Sequence, residues 1–211
     1  MAVKKGTIAR AVILTFLVIV ALLYFVRPFR PSPRRLAVDA TQAPPPADRV
    51  TPEGLIAVDS SSLFARMRRS RARGIVVGAW ASWCGSCKDD VPLLIGLRKT
   101  FPQDIEVMLV SVDDDVESRA AAAERLKEFG ETEPSYVVDE SLTAFKAAMH
   151  PSWPGMLPAT FLFDSTAKVH YFWGGPVMEN ELVPLVRRYL AGENIDGMAD
   201  FALIHGKAKG E

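Results

Sequence analysis

An α/β sandwich around a mixed central sheet is predicted for residues 54–190 of this 211-residue chain. Three observations predict it. Apolar runs of strand length alternate with helical segments along the chain. Two of those runs, Ile75–Trp80 (IVVGAW) and Ile105–Val112 (IEVMLVSV), are apolar enough to be covered on both faces. The alternation then gives way to a hairpin pattern and one closing helix.

The elements run as follows. Ala11–Val26 (AVILTFLVIVALLYFV) carries no charge. Starting at Ile8, with Arg10 snorkelling to the headgroups, the apolar helix would be about 28 Å long, against roughly 30 Å of bilayer hydrocarbon. Tyr24 and Phe25 suit an interfacial aromatic belt. Membrane association through residues 8–26 is therefore expected, by an uncleaved anchor or a cleaved signal sequence. The long apolar run favours the anchor, as does Phe25–Pro28 where a small-x-small cleavage site would stand. A buried core helix fits poorly, because the segment is apolar all round and flanked by arginines. Lys4, Lys5, Arg10 and the amino terminus on one side balance Arg27, Arg30, Arg34 and Arg35 on the other, so charge leaves the orientation undecided. Residues 27–53 hold seven of the fifteen prolines and read as an extended, semi-rigid linker.

The domain proper starts with a short strand at Leu55–Val58 and a helix from about Ser62 to Arg71. The Ile75–Trp80 strand leads into a helix from about Cys84 to Phe101, with Pro92 as a kink. After the Ile105–Val112 strand comes an alanine-rich helix, Val116–Phe129, ended by Gly130. Asp113-Asp114-Asp115 reads as the loop that caps it. A short strand at Tyr136–Val138 and a short helix at Leu142–Met149 follow. Ala159–Phe163 and Val169–Trp173 form the hairpin pattern, and Glu179–Leu190 is the closing helix. Residues 191–211 read as a weakly patterned tail.

Composition narrows the function. Twenty-five basic side chains balance twenty-five acidic ones, so nothing points to nucleic-acid binding. The balance is uneven along the chain: residues 1–53 carry a net of +5 and residues 54–211 a net of −5. A basic, membrane-facing arm thus precedes an acidic domain. Two cysteines are too few for a disulfide scaffold or a four-cysteine zinc site.

They stand in Trp80-Ala81-Ser82-Trp83-Cys84-Gly85-Ser86-Cys87-Lys88, where a buried strand turns into a helix. Free amides and the positive end of the helix dipole favour a thiolate at Cys84. Cys87 lies one helical turn on, within reach of a mixed disulfide held on Cys84. Cys84 is thus expected as nucleophile and Cys87 as resolving thiol. Trp80 and Trp83 provide an apolar rim that meets substrate. A zinc half-site would need two further close-spaced ligands, and a structural disulfide over so small a loop would add little stability.

The stretch WASWCGSCKDDVPLL resembles the active-site region of thioredoxin-fold proteins, and is most similar to the membrane-tethered TlpA/ResA-like thiol–disulfide oxidoreductases. The resemblance covers about residues 55–190. Its second element, Gly155-Met156-Leu157-Pro158-Ala159-Thr160-Phe161-Leu162-Phe163-Asp164, is similar to the family's cis-proline loop and strand. It implies a cis-proline at Pro158 beside the cysteines, with Leu157 offering backbone hydrogen bonds to a substrate strand. Read alone, Pro158 equally starts an ordinary strand. Gly174-Gly175 matches the family's glycine turn. Gly78 stands where thioredoxin has a buried strand acid, while Asp90 matches the acid that TlpA/ResA-like proteins carry three residues after the second cysteine. Asp90 would shuttle a proton with Cys87 or disfavour its thiolate, or is a solvated acid in the first helical turns. The Gly-Ser dipeptide between the cysteines leaves the direction of electron transfer open. The interval between Cys87 and Pro158 leaves room for the family's inserted strand and helix.

The resemblance implies a thiol–disulfide oxidoreductase, single-pass in the inner membrane and facing the periplasm or its equivalent. Its substrates would be protein thiols and disulfides. A reductant would draw electrons from a DsbD- or CcdA-type membrane donor, with cytochrome c maturation as one client pathway. Neither an organic cofactor nor a metal is implied. The rival readings are a copper- or metal-binding module and a redox-sensing module without turnover. His150 and His170 are the histidines a copper site would draw on, although the CxxxC spacing of Sco-type copper chaperones is missing. Arg66, Arg68, Arg69, Arg71 and Arg73 form either a solvated helix end or a surface for an anionic partner.

Overall fold

The computed structural model describes residues 48–200. The expected membrane segment at residues 8–26, nearly all of the linker and the end of the tail lie outside the described residues. Among the described residues no helix is long and apolar enough to cross a membrane.

Among the described residues eight strands form one sheet: β1 (Arg49–Val50), β2 (Ile56–Val58), β3 (Gly74–Trp80), β4 (Ile105–Ser111), β5 (Tyr136–Val138), β6 (Ala159–Asp164), β7 (Val169–Gly174) and β8 (Gly197–Asp200). Their spatial order is β1-β2-β5-β4-β3-β6-β7-β8. β2, β5, β4 and β3 run parallel, whereas β6 is antiparallel to both β3 and β7. Five helices among the described residues cover the sheet: α1 (Ser60–Arg69), α2 (Cys87–Thr100), α3 (Val116–Glu128), α4 (Leu142–Met149) and α5 (Glu179–Leu190). This is the thioredoxin-like arrangement that the resemblance implied. The interval between Cys87 and Pro158 holds β4, α3, β5 and α4, with room for the expected additional strand and helix.

β3 shows how the two layers are built. Its residues are buried throughout, and side chains alternate faces with period two. Ile75, Val77 and Ala79 join Leu63 and Met67 of α1 and Phe145 and Met149 of α4 in one apolar cluster. Val76 and Trp80 join Val91, Leu94 and Leu97 of α2, Ala122 and Leu126 of α3, and Leu182 and Val186 of α5 in the other. A strand so covered must be apolar on both faces, which is why it reads as a continuous run. Gly78 points to the second layer, where a β-carbon would come within 2.3 Å of Leu94 Cδ1. Leu94 therefore fills the place where a strand carboxylate would stand.

Several boundaries differ from the sequence reading. α1 starts at Ser60, because Asp59 rather than a later residue is the cap, exchanging hydrogen bonds with Ser62 in a capping box. α2 starts at Cys87 and not at Cys84, so Cys84 lies in the turn ahead of the helix. It continues through Pro92, whose missing N–H leaves the Lys88 carbonyl without its usual donor. β1 and β8 add edge strands within segments read as linker and tail. β1 is two residues long, and β8 opens on glycine, so neither carries an alternating pattern.

Candidate active site

The cysteine loop leaves the carboxyl end of β3. The Cys84 amide donates to the Ala81 carbonyl at 3.1 Å, closing a turn over Ala81–Cys84. Asp113, only 1% exposed at the end of β4, holds that turn. Its carboxylate accepts the Ser82 amide at 2.9 Å, the Ser82 hydroxyl at 2.8 Å and the Ser111 hydroxyl at 2.6 Å. The sequence places Asp113 with Asp114 and Asp115 in one loop that caps the following helix. The cap of α3 is Asp115, in a capping box with Ser118. Three consecutive aspartates conceal that the first, just past the end of β4, holds the cysteine turn.

Cys84 and Cys87 form a disulfide with Cα atoms 5.4 Å apart. The two sulfurs are unequally placed: Cys84 is half-buried, and Cys87, at the first position of α2, is 1% exposed. Trp83 is 69% exposed beside Cys84, while Trp80 is buried under the loop. The two tryptophans thus divide into one on the rim and one in the core.

One turn beyond Cys87, Asp90 is 2% exposed, on the buried face of α2 with Cys87, Val91 and Leu94. Burial pushes its carboxyl up to about 7; a hydrogen bond from the Val177 amide pulls it down, and the charge of Asp89 adds to the rise. The Val177 amide donates to Oδ2 at 3.1 Å and thereby ties α2 to the loop after β7. Asp90 is therefore not the solvated acid of the alternative reading.

The Leu157–Pro158 peptide is cis. Ala159 pairs with Ala79 across β3 and β6, which places Pro158 level with the carboxyl end of β3, where the cysteine loop begins. The Pro158 carbonyl accepts from the Gly175 amide at 2.9 Å. Gly175 has φ +107°, a backbone conformation natural to glycine. Leu157 is half-buried against both apolar clusters.

The histidines stand apart from this loop in other roles. His150 stacks on Phe172 with ring centres 4.9 Å apart, accepts the Ser152 amide at Nδ1, and is pushed down in pKa by burial. His170 lies between Asp196, 2.7 Å from Nδ1, and Asp164, 3.0 Å from Nε2. Burial works against the Asp164 carboxylate, but hydrogen bonds from Thr166, His170 and Lys168 hold it down at about 2. Among the described residues no three His, Cys, Asp or Glu side chains gather as metal ligands. In the arginine cluster, Arg66 pairs with Asp48 and lies 5.5 Å from the Tyr136 ring centre, and Arg73 lies 3.5 Å from Asp104.

A strand-end CxxC loop facing a cis-proline strand lies within the stretch matched by the AhpC/TSA family model, residues 60–172. The chain belongs to the AhpC/TSA family. Among curated relatives, the thiol-disulfide oxidoreductase ResA of Geobacillus kaustophilus (strain HTA426) is 28% identical over 120 residues, which cover 56% of this chain and 63% of that protein. ResA of Bacillus subtilis (strain 168) is 25% identical over 124 residues, covering 58% and 65%. The chain thus matches less than two thirds of the length of these relatives. Among solved structures, a thioredoxin-family thiol:disulfide interchange protein from Chlorobium tepidum TLS is 20% identical, with a TM-score of 0.49 over 72% of this chain and 99% of that one. A secreted disulfide oxidoreductase of Mycobacterium tuberculosis is 16% identical, with a TM-score of 0.42 over 53% and 78%.

Proposed function

We propose that this protein is a membrane-tethered thiol–disulfide oxidoreductase that exchanges disulfides with extracytoplasmic proteins through Cys84-Gly-Ser-Cys87. The observation that carries the reading is the asymmetry of the pair: Cys84 is open to a partner, and Cys87 is closed in above the buried Asp90.

In the reducing direction the Cys84 thiolate attacks one sulfur of a client disulfide. The Cys84–client bond forms, the client S–S bond breaks, and the departing client thiolate takes a proton from water. Cys87 then gives its proton to Asp90 and attacks Cys84. The Cys84–Cys87 bond forms, the Cys84–client bond breaks, the departing client thiolate takes the proton back from Asp90, and two electrons have passed to the client. A carboxyl held near neutrality suits that transfer, since it can both accept and return a proton around pH 7. Trp83 and the backbone of Leu157, set by Pro158, hold the client segment. Refilling the pair with electrons falls to a membrane donor of the DsbD or CcdA type. The segment 8–26 supplies the tether and places the domain in the periplasm or its equivalent. The ResA relatives support this reading by name.

Insulin reduction in a dithiol buffer tests it on the full chain in detergent. Turnover by the wild type and none by Cys84→Ser is expected. No turnover in any redox buffer, with tight copper binding in its place, would overturn it in favour of the metal-binding module.

A further inference from the structure

The disulfide has a second flank, away from the cis-proline loop. A cavity of about 140 Å³ opens there between the cysteine loop and the end of α3. Trp80, Trp83, Cys84, Lys88, Arg125 and Phe129 contribute to its wall. Trp80 and Phe129 meet edge to face at 6.4 Å and close it off on the inside.

The polar chemistry of that wall is one-sided. Lys88 and Arg125 bring two positive charges, and no acidic side chain lines the cavity. The Ser82 hydroxyl, also in the wall, is already donated to Asp113. The buried indole N–H of Trp80 has no acceptor among the described residues. Glu128 is the acid that approaches Arg125, at 3.9 Å, and both side chains are about half exposed, so the guanidinium stays available. These cations lie in a part of the chain, residues 54–211, whose net charge is −5. A concave, donor-lined spot of positive charge beside a reactive sulfur, set in an acidic surround, selects for an acceptor that carries negative charge.

We propose that this cavity receives the carboxylate of an acidic residue flanking the client's cysteine, with Arg125 as the main specificity determinant and Lys88 as its partner. The proposal rests on the oxidoreductase reading and names its substrate class: protein disulfides with an aspartate or glutamate within about two residues of the attacked sulfur. The extended client backbone, at roughly 3.4 Å per residue, brings such a side chain from Cys84 into the cavity.

The test uses the full chain in its dithiol form and three disulfide-linked peptides, with Glu, Gln or Lys two residues after the cysteine. The second-order rate of exchange is read from tryptophan fluorescence at low and high salt. The wild type should take the Glu peptide about fivefold faster than the Gln peptide, the ratio that one exposed ion pair supports. The Lys peptide should be the slowest, and high salt should compress the ratios. Arg125→Gln should bring the Glu:Gln ratio close to one, and Arg125→Glu should invert it. Equal rates for Glu and Gln in the wild type, or a preference that survives both substitutions, would overturn the proposal. An Arg125-dependent preference for glutathione disulfide over the Glu peptide would move the site from protein clients to small thiols and overturn it too. Exchange of none of the peptides would strike the oxidoreductase reading itself.

Discussion

Asp90 is a carboxyl withdrawn from water, and its one hydrogen bond, from the Val177 amide, does not compensate for the lost solvation. Its folded-state pKa lies above the ordinary carboxylate value of 3.8, at about 7. The folded protein therefore binds this proton more tightly than the unfolded chain does. The contribution to stability is fully present below about pH 4 and is lost as the pH rises through 7, at roughly 1.4 kcal/mol per pH unit within that window. Asp90→Asn should flatten this slope, measured by denaturant titration of the oxidised protein from pH 4 to 8. In the reaction, the same variant should slow the resolving step and let the Cys84 mixed disulfide accumulate, as trapping and mass analysis would detect. Asp113 acts differently, by holding the Ser82 turn that carries Trp83 and Cys84. Asp113→Ala would leave two hydroxyls and an amide without their acceptor, at a cost on the order of 3 kcal/mol in chemical unfolding. The two cysteines were legible in the sequence because the strand–CxxC–helix spacing is local. The role of Asp113 was not, because Ser82, whose amide and hydroxyl it accepts, lies 31 residues earlier in the cysteine loop.

Elements place these residues through their ends. α2 supplies Cys87 and Asp90 one turn apart on its buried face, and β3 delivers the cysteine loop ahead of it. The close fit of the two elements is concentrated at Gly78, where Leu94 occupies the space a side chain would need. Gly78→Val should push α2 off β3 and cost about 1–3 kcal/mol by overpacking, read as a fall in the denaturation midpoint. Asp115→Ala, which removes the α3 capping box, should lower the denaturation midpoint with exchange activity retained, since the cap lies outside the cysteine loop. Helix interiors followed from apolar periodicity, and three elements (β5, α4 and α5) have the bounds the pattern predicts. The starts of α1 and α2 did not, because a helix begins where a cap or turn satisfies its first amides, which periodicity does not encode.

The whole domain is a sheet with two apolar layers, and its reactive loops lie at one end, where β3 stops and β6 starts. β8 extends the sheet beyond β7, and Ile195, 6% exposed, seals the layer beneath it. Asp196 anchors this addition through Lys168 at 3.1 Å and His170 at 2.7 Å. Truncation after Leu190 should uncover the β7 edge and the Ile195 site. It should lower stability by about 2–4 kcal/mol and promote self-association, visible by denaturation and light scattering.

The sequence by itself determined the layered α/β class, the cysteine pair and the order of most elements. These depend on runs, periods and spacings within a few residues of one another. Only the tertiary structure decided that Asp90 is withdrawn from water, that Asp113 belongs to the cysteine turn, and that Gly78 yields its space to Leu94. It also decided that Arg125 lines one cavity with Cys84 and Cys87 and that two unpatterned segments pair as edge strands. Each of these joins groups from different elements, and burial, charge and hydrogen bonding depend on distances in space that chain order does not contain.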